Sequence, residues 1–71
     1  MEYTYYEIWY MDPEGNIVWG IGEFNKGITE YEVRELLYND TDTDIIEITD
    51  IIETSDNHGC SWYFADETFN S

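Results

Sequence analysis

From Tyr3 to Met11 the run YTYYEIWYM is dense in β-forming aromatics and predicts a strand. Its period of two puts Tyr3, Tyr5, Glu7 and Trp9 on one face and Tyr6, Ile8 and Tyr10 on the other. The second set carries no charge, and we assign it to the core. Asp12-Pro13-Glu14-Gly15-Asn16 has turn chemistry, because Pro presets φ and Gly accepts a positive one. Residues 17–24 (IVWGIGEF) then predict a second strand and a hairpin. Gly20 and Gly22 share one face of it, a pattern that marks close approach by another element, here expected to be a crossing helix. Trp19 is expected in the core.

After Asn25-Lys26-Gly27 the period changes to that of a helix. Thr29 followed by Glu32 forms a capping box, and Ile28 before the cap faces Val33 as a hydrophobic staple. Val33, Leu36 and Leu37 recur at helical spacing, so a helix is expected over 29–38, stopping near Asn39-Asp40. Residues 44–54 (DIIEITDIIET) predict a third strand, with Ile46 and Ile48 on one face and Ile45 and Ile51 on the other. A bulge near Asp50 would return Ile51 or Ile52 to the core. Ser55 to Gly59 is a turn cluster that holds His58, residues 60–66 predict a last strand with Trp62 and Phe64 inward, and the tail from Glu67 is expected to be loose. The order ββαββ defines an α+β fold. We expect one domain over residues 1–71, a four-stranded antiparallel sheet with one helix packed on one face.

Charge changes this picture. Seventeen Asp and Glu stand against two Lys and Arg, a formal net charge of −15 in 71 residues. Such acidity alone would suggest a disordered tail, but disordered polyanions are poor in aromatics, and this chain has three Trp, seven Tyr and three Phe. A folded domain with a dense negative field follows. Direct contact with nucleic acid or with an anionic membrane is disfavoured, so a basic protein surface is the expected partner. Solubility alone asks for a net charge of about 2–8 in a small domain, well below what is present. A halophilic surface is the competing explanation for the excess.

Cys60 has no internal disulfide partner, no apolar run approaches a membrane span, and the N-terminus lacks the basic start of a signal peptide, which together predict a cytoplasmic protein. No phosphate loop, nucleophile elbow or Cys/His catalytic signature occurs, and no enzyme or cofactor is expected. Asp40-Thr41-Asp42-Thr43-Asp44 resembles the start of an EF-hand loop, but Ile45 and Ile51 occupy the positions where that loop needs Gly and Glu, leaving at most a weak Ca²⁺ site. His58 and Cys60 are too few for zinc.

The carboxylates form runs. If NDTDTD is extended, Asp40, Asp42 and Asp44 point one way at intervals of about 6.6 Å. Neighbouring phosphates of a DNA strand lie roughly 6–7 Å apart through space. Glu47, Asp50 and Glu53 continue the row, and Glu30, Glu32 and Glu35 add charge along the helix. Tyr3 and Tyr5 are candidate anchors beside these acids, since Tyr and Trp dominate interface hot spots. The runs NDTDTDIIEITDIIE and EYEVRE among aromatic strands resemble the small phage-encoded DNA-mimic proteins that block CRISPR nucleases, restriction enzymes or DNA-repair glycosylases. That resemblance rests on size, charge and aromatic content over the whole chain, and it transfers no individual site. It implies an inhibitor of a basic nucleic-acid-binding protein, a CRISPR effector first and a restriction enzyme next. A non-inhibitory acidic adaptor on a basic host protein is the alternative. Both a monomer and a homodimer remain open.

Overall fold

The structure, a computed structural model, describes residues 2–55 and 59–64. The readings of His58, of the strand's last residues Ala65 and Asp66, and of the tail from Glu67 fall outside these. The fold is α+β: β1 (Tyr3–Met11), β2 (Ile17–Asn25), α1 (Glu30–Thr41), β3 (Glu47–Thr54) and β4 (Cys60–Tyr63). β1 and β2 form the expected hairpin. Asp12 organises its loop, its Oδ1 accepting from the backbone N–H groups of Glu14 at 3.0 Å and Asn16 at 2.8 Å. Among the described residues no helix is long and apolar enough to cross a membrane.

The sheet order is β3-β1-β2-β4. β3 runs antiparallel to β1, but β4 runs parallel to β2, so the sheet is mixed and not wholly antiparallel. β1 is already flanked by β2 and β3, and β4 takes the free margin of β2. What fits it there is the glycine pair. A Cβ built at Gly20 would lie 2.6 Å from the Trp62 ring, and one at Gly22 would lie 2.5 Å from Phe24 and 3.0 Å from Trp62. Aromatic rings, and not the helix, therefore fill the space the two glycines leave.

β3 contains the expected bulge. Asp50 pairs with Trp9 and Ile48 with Tyr10, leaving Thr49 as the extra residue. The shift turns both Ile48 and Ile51 to the helix side, where Ile48 is buried and Ile51 packs against the core. Ile46 does not share a face with Ile48. It lies ahead of the strand and is 54% exposed, while Ile45 is buried. A simple alternation fails here because the strand starts only at Glu47 and the bulge resets its phase.

The capping box forms as the sequence requires. Thr29 Oγ1 accepts from the Glu32 N–H, and Glu32 Oε1 accepts from the Thr29 N–H, both at 3.2 Å. The helix runs past the expected stop, to Thr41. Its end is held on the Leu37 carbonyl, which accepts from the Thr41 hydroxyl at 2.6 Å, from the Thr43 N–H at 3.1 Å and from the Asp42 N–H. Asp42 takes a left-handed conformation with φ 57°, which Asp tolerates better than most residues.

The core gathers Tyr6, Ile8 and Tyr10 of β1, Phe24 of β2, Val33, Leu36 and Leu37 of α1, then Ile45, Ile48 and Phe64. Full burial of a side chain such as Ile8 or Leu37 contributes about 1.5–3 kcal/mol. The Tyr6 hydroxyl accepts from the Gly27 N–H at 2.9 Å, so this core ring still satisfies its polar end. Arg34 Nη1 donates to the Ile45 carbonyl at 2.7 Å and ties the helix to the segment entering β3. Trp19 departs from expectation: it is 53% exposed on the face away from the helix, because Gly20 and Gly22 hold the inward positions of β2.

Candidate functional site: the open face of the sheet

The helix covers one side of the sheet, and among the described residues no helix or strand is layered on the other. The strand registers order that open side into rows. Glu47, Met11 and Ile17 form the first, and Asp50, Trp9 and Trp19 the second. Ile52, Glu7, Ile21 and Cys60 form the third, and Thr54, Tyr5, Glu23 and Tyr63 the fourth. Each row carries one carboxylate, and its strand changes down the face: β3 for Glu47 and Asp50, β1 for Glu7, β2 for Glu23. The acids thus run diagonally across the sheet. With about 7 Å per two residues along a strand and about 4.8 Å between strands, successive members of the diagonal sit roughly 7–9 Å apart.

Apolar surface flanks this line. Tyr3, Ile17, Trp19, Ile52 and Tyr63 are all exposed, and Tyr63 reaches 68%. Trp9 and Trp19 stack across the strands, their ring centroids 5.7 Å apart and their planes 18° from parallel. Trp9 Nε1 donates to Glu7 Oε1 at 2.7 Å, which fixes the carboxylate against the ring. The Tyr63 phenol is pushed above its ordinary value of 10.0, chiefly by the neighbouring Cys60 and a hydrogen bond to it. No Lys or Arg belongs to these rows. Of the two cations, Arg34 is turned to backbone carbonyls on the helix side and Lys26 sits in the turn before α1.

The residues predicted as a site are only partly brought together. Tyr3, Tyr5, Glu47 and Asp50 share the open face. Glu30 meets Asp50 in a cleft it lines with Ile48, Thr49 and Ile51, so the start of the helix and the β3 margin form one acidic flank. Glu32 is engaged in the capping box. Glu35 is half-buried on the helix, and Glu53, in register with Tyr6, is exposed on the helix side. The extended row of Asp40, Asp42 and Asp44 is not formed. Asp40 lies within α1, Asp42 is in the left-handed conformation and Asp44 follows in irregular backbone, so a strand's spacing does not apply. Among the described residues no group of three metal-ligating side chains comes together, at the Asp40–Asp44 segment or elsewhere.

Glu7, Glu23, Trp9, Trp19 and Tyr63 belong to the face and were not among the predicted site residues. Glu7 and Trp9 were signalled by their period-two partnership with Tyr3 and Tyr5, opposite an uncharged set. Glu23 and Tyr63 carried no local signal, since their positions follow from which strands pair. Comparison of the chain with protein-family models, with curated proteins and with solved structures gives no match.

Proposed function

We propose that this chain is a nucleic-acid-mimicking inhibitor that acts in the cytoplasm, occupying the basic groove of a bacterial defence nuclease, a CRISPR effector first and a restriction enzyme next. The observation that carries the reading is the diagonal Glu47, Asp50, Glu7 and Glu23, a line of anions at near-phosphate intervals on a rigid sheet. A groove of Arg and Lys gains from such a line as it gains from a sugar–phosphate backbone, by releasing the counterions it holds. The −15 charge steers the encounter and makes it fast and salt-sensitive. Stacked and exposed aromatics supply what charge lacks, a rigid apolar contact that fixes register. The same aromatics also fit the second reading, an acidic adaptor on a basic host protein that does not block nucleic acid.

The test is displacement. Purified CRISPR effectors and restriction endonucleases are loaded with labelled DNA, and the protein is titrated while anisotropy is read. The expected result is loss of the DNA complex for a member of the set, weakening as salt rises. A complex between this chain and a nuclease that survives saturating DNA would show that the groove is not the docking site and favour the adaptor.

A further inference from the structure

We propose that the Trp9–Trp19 stack with Glu7 is an arginine-binding subsite, so that the partner engages the open face through guanidinium groups in preference to lysine ammonium groups. The inference rests on the reading that the partner is cationic and adds which cation it presents.

Trp9 covers one side of the Trp19 ring. The other side lies at the margin of β2 where, among the described residues, no strand pairs, because β4 meets β2 only from Ile21 onward. Trp19 is accordingly half exposed although its neighbours fix it in place. A planar guanidinium is weakly hydrated and stacks on an indole, whereas an ammonium holds its water and meets the ring as a point charge. Glu7, one row along and one strand over, already has Oε1 anchored by Trp9 Nε1, which leaves Oε2 for a second donor. A rigid ring beside an oriented carboxylate matches the two ways in which arginine binds, by its face and by its edge.

The occupant is a segment of a cationic protein and not a second copy of this chain. Two such faces brought together would oppose Glu7, Glu23, Glu47 and Asp50 to their own counterparts, with no Lys or Arg in the rows to neutralise them. Burying unpaired like charges is strongly unfavourable.

The experiment titrates the whole protein with hexa-arginine and hexa-lysine, peptides of equal charge, by calorimetry at matched ionic strength. Hexa-arginine should bind about two- to fivefold more tightly, the range of an exposed cation–π contact. Trp19→Leu should bring the two affinities together, and Glu53→Gln, which removes a carboxylate from the other face, should leave their ratio unchanged. Trp19→Phe keeps a ring and should retain part of the preference, which separates loss of the platform from loss of the fold. Equal binding of the two peptides by the unaltered protein, or an undiminished preference in folded Trp19→Leu, overturns the subsite. A dimer in sedimentation that Trp19→Leu dissociates would place a second copy on the face and overturn it as well. Displacement of DNA from a nuclease together with equal peptide binding would remove this subsite and leave the inhibitor reading standing. Arginine preference without any displacement would do the reverse.

Discussion

The ring of Trp62 lies directly on Gly20: a Cβ built there would stand 2.6 Å from the ring carbon Cη2, closer than real Cβ contacts come. The same ring reaches Gly22, so one side chain from the last strand spans two rows of β2. This contact replaces the side chains that the strand lacks and seats β4 at the margin of the sheet.

Gly20→Ala should therefore destabilise the fold, and the cause is overpacking, not backbone conformation, because Gly20 has no positive φ. A methyl forced against a packed ring costs about 1–3 kcal/mol. Urea unfolding measures it directly. The diagnostic is the double variant: with Trp62→Leu already present, Gly20→Ala should cost much less, since the clashing ring atoms are gone. Independent, additive costs in the two backgrounds would show that the ring does not rest on the glycine.

How far the sequence revealed this fold depends on the range of each cause. The hairpin, the capping box at Thr29 and Glu32, and the inward set Tyr6, Ile8 and Tyr10 are all local effects, and each was legible. The bulge in β3 was legible too, because only a reset of phase places Ile48 and Ile51 on one side. The partner and direction of β4 were not, since that choice is made by Trp62 meeting glycines some forty residues earlier. The inward preference given to Trp19 failed for the same reason. Its neighbours Gly20 and Gly22 hold the core positions, and a distant ring supplies their bulk. The acidic row at Asp40, Asp42 and Asp44 was lost to a detail of the helix end, the convergence of three donors on the Leu37 carbonyl. The diagonal of carboxylates that stands instead crosses three strands, and no window of sequence displays it.

Alkaline pH tests the core around Tyr10. Burial raises its phenol above the ordinary 10.0, and the nearby Asp12 charge raises it further. A raised phenol means that the fold prefers the neutral ring. The contribution is fully present below the unfolded value of 10.0 and is lost as pH rises through the higher folded value, because the unfolded chain releases a proton that the native state retains. Unfolding free energy should fall between about pH 10 and the native value. Tyr10→Phe, which has no proton to lose there, should show a shallower decline over the same interval. Parallel declines for the two proteins would mean that Tyr10 ionises as readily in the fold as outside it.

The bulge in β3 offers a way to separate the charge on the open face from the shape that presents it. Thr49 is the extra residue between the pairs Asp50–Trp9 and Ile48–Tyr10. Deleting Thr49 leaves both pairs in a regular ladder, with Asp50 still opposite Trp9, and gives up the hydrogen bond from the Thr49 hydroxyl to the Trp9 carbonyl. Deleting Asp50 instead straightens the strand equally but brings Thr49 opposite Trp9, which breaks the diagonal at its second member. Both deletions keep Ile48 and Ile51 on the helix side, so both should fold, with unfolding free energies within about 1 kcal/mol of each other. Partner binding should divide them. The chain lacking Thr49 should hold hexa-arginine nearly as the parent does, while the chain lacking Asp50 should bind a few-fold more weakly, the scale of about 0.2–1 kcal/mol for one exposed charge pair. The gap should close as salt screens the face. Equal weakening in the two deletions would assign the effect to the local twist of the edge strand and take Asp50 out of the interaction.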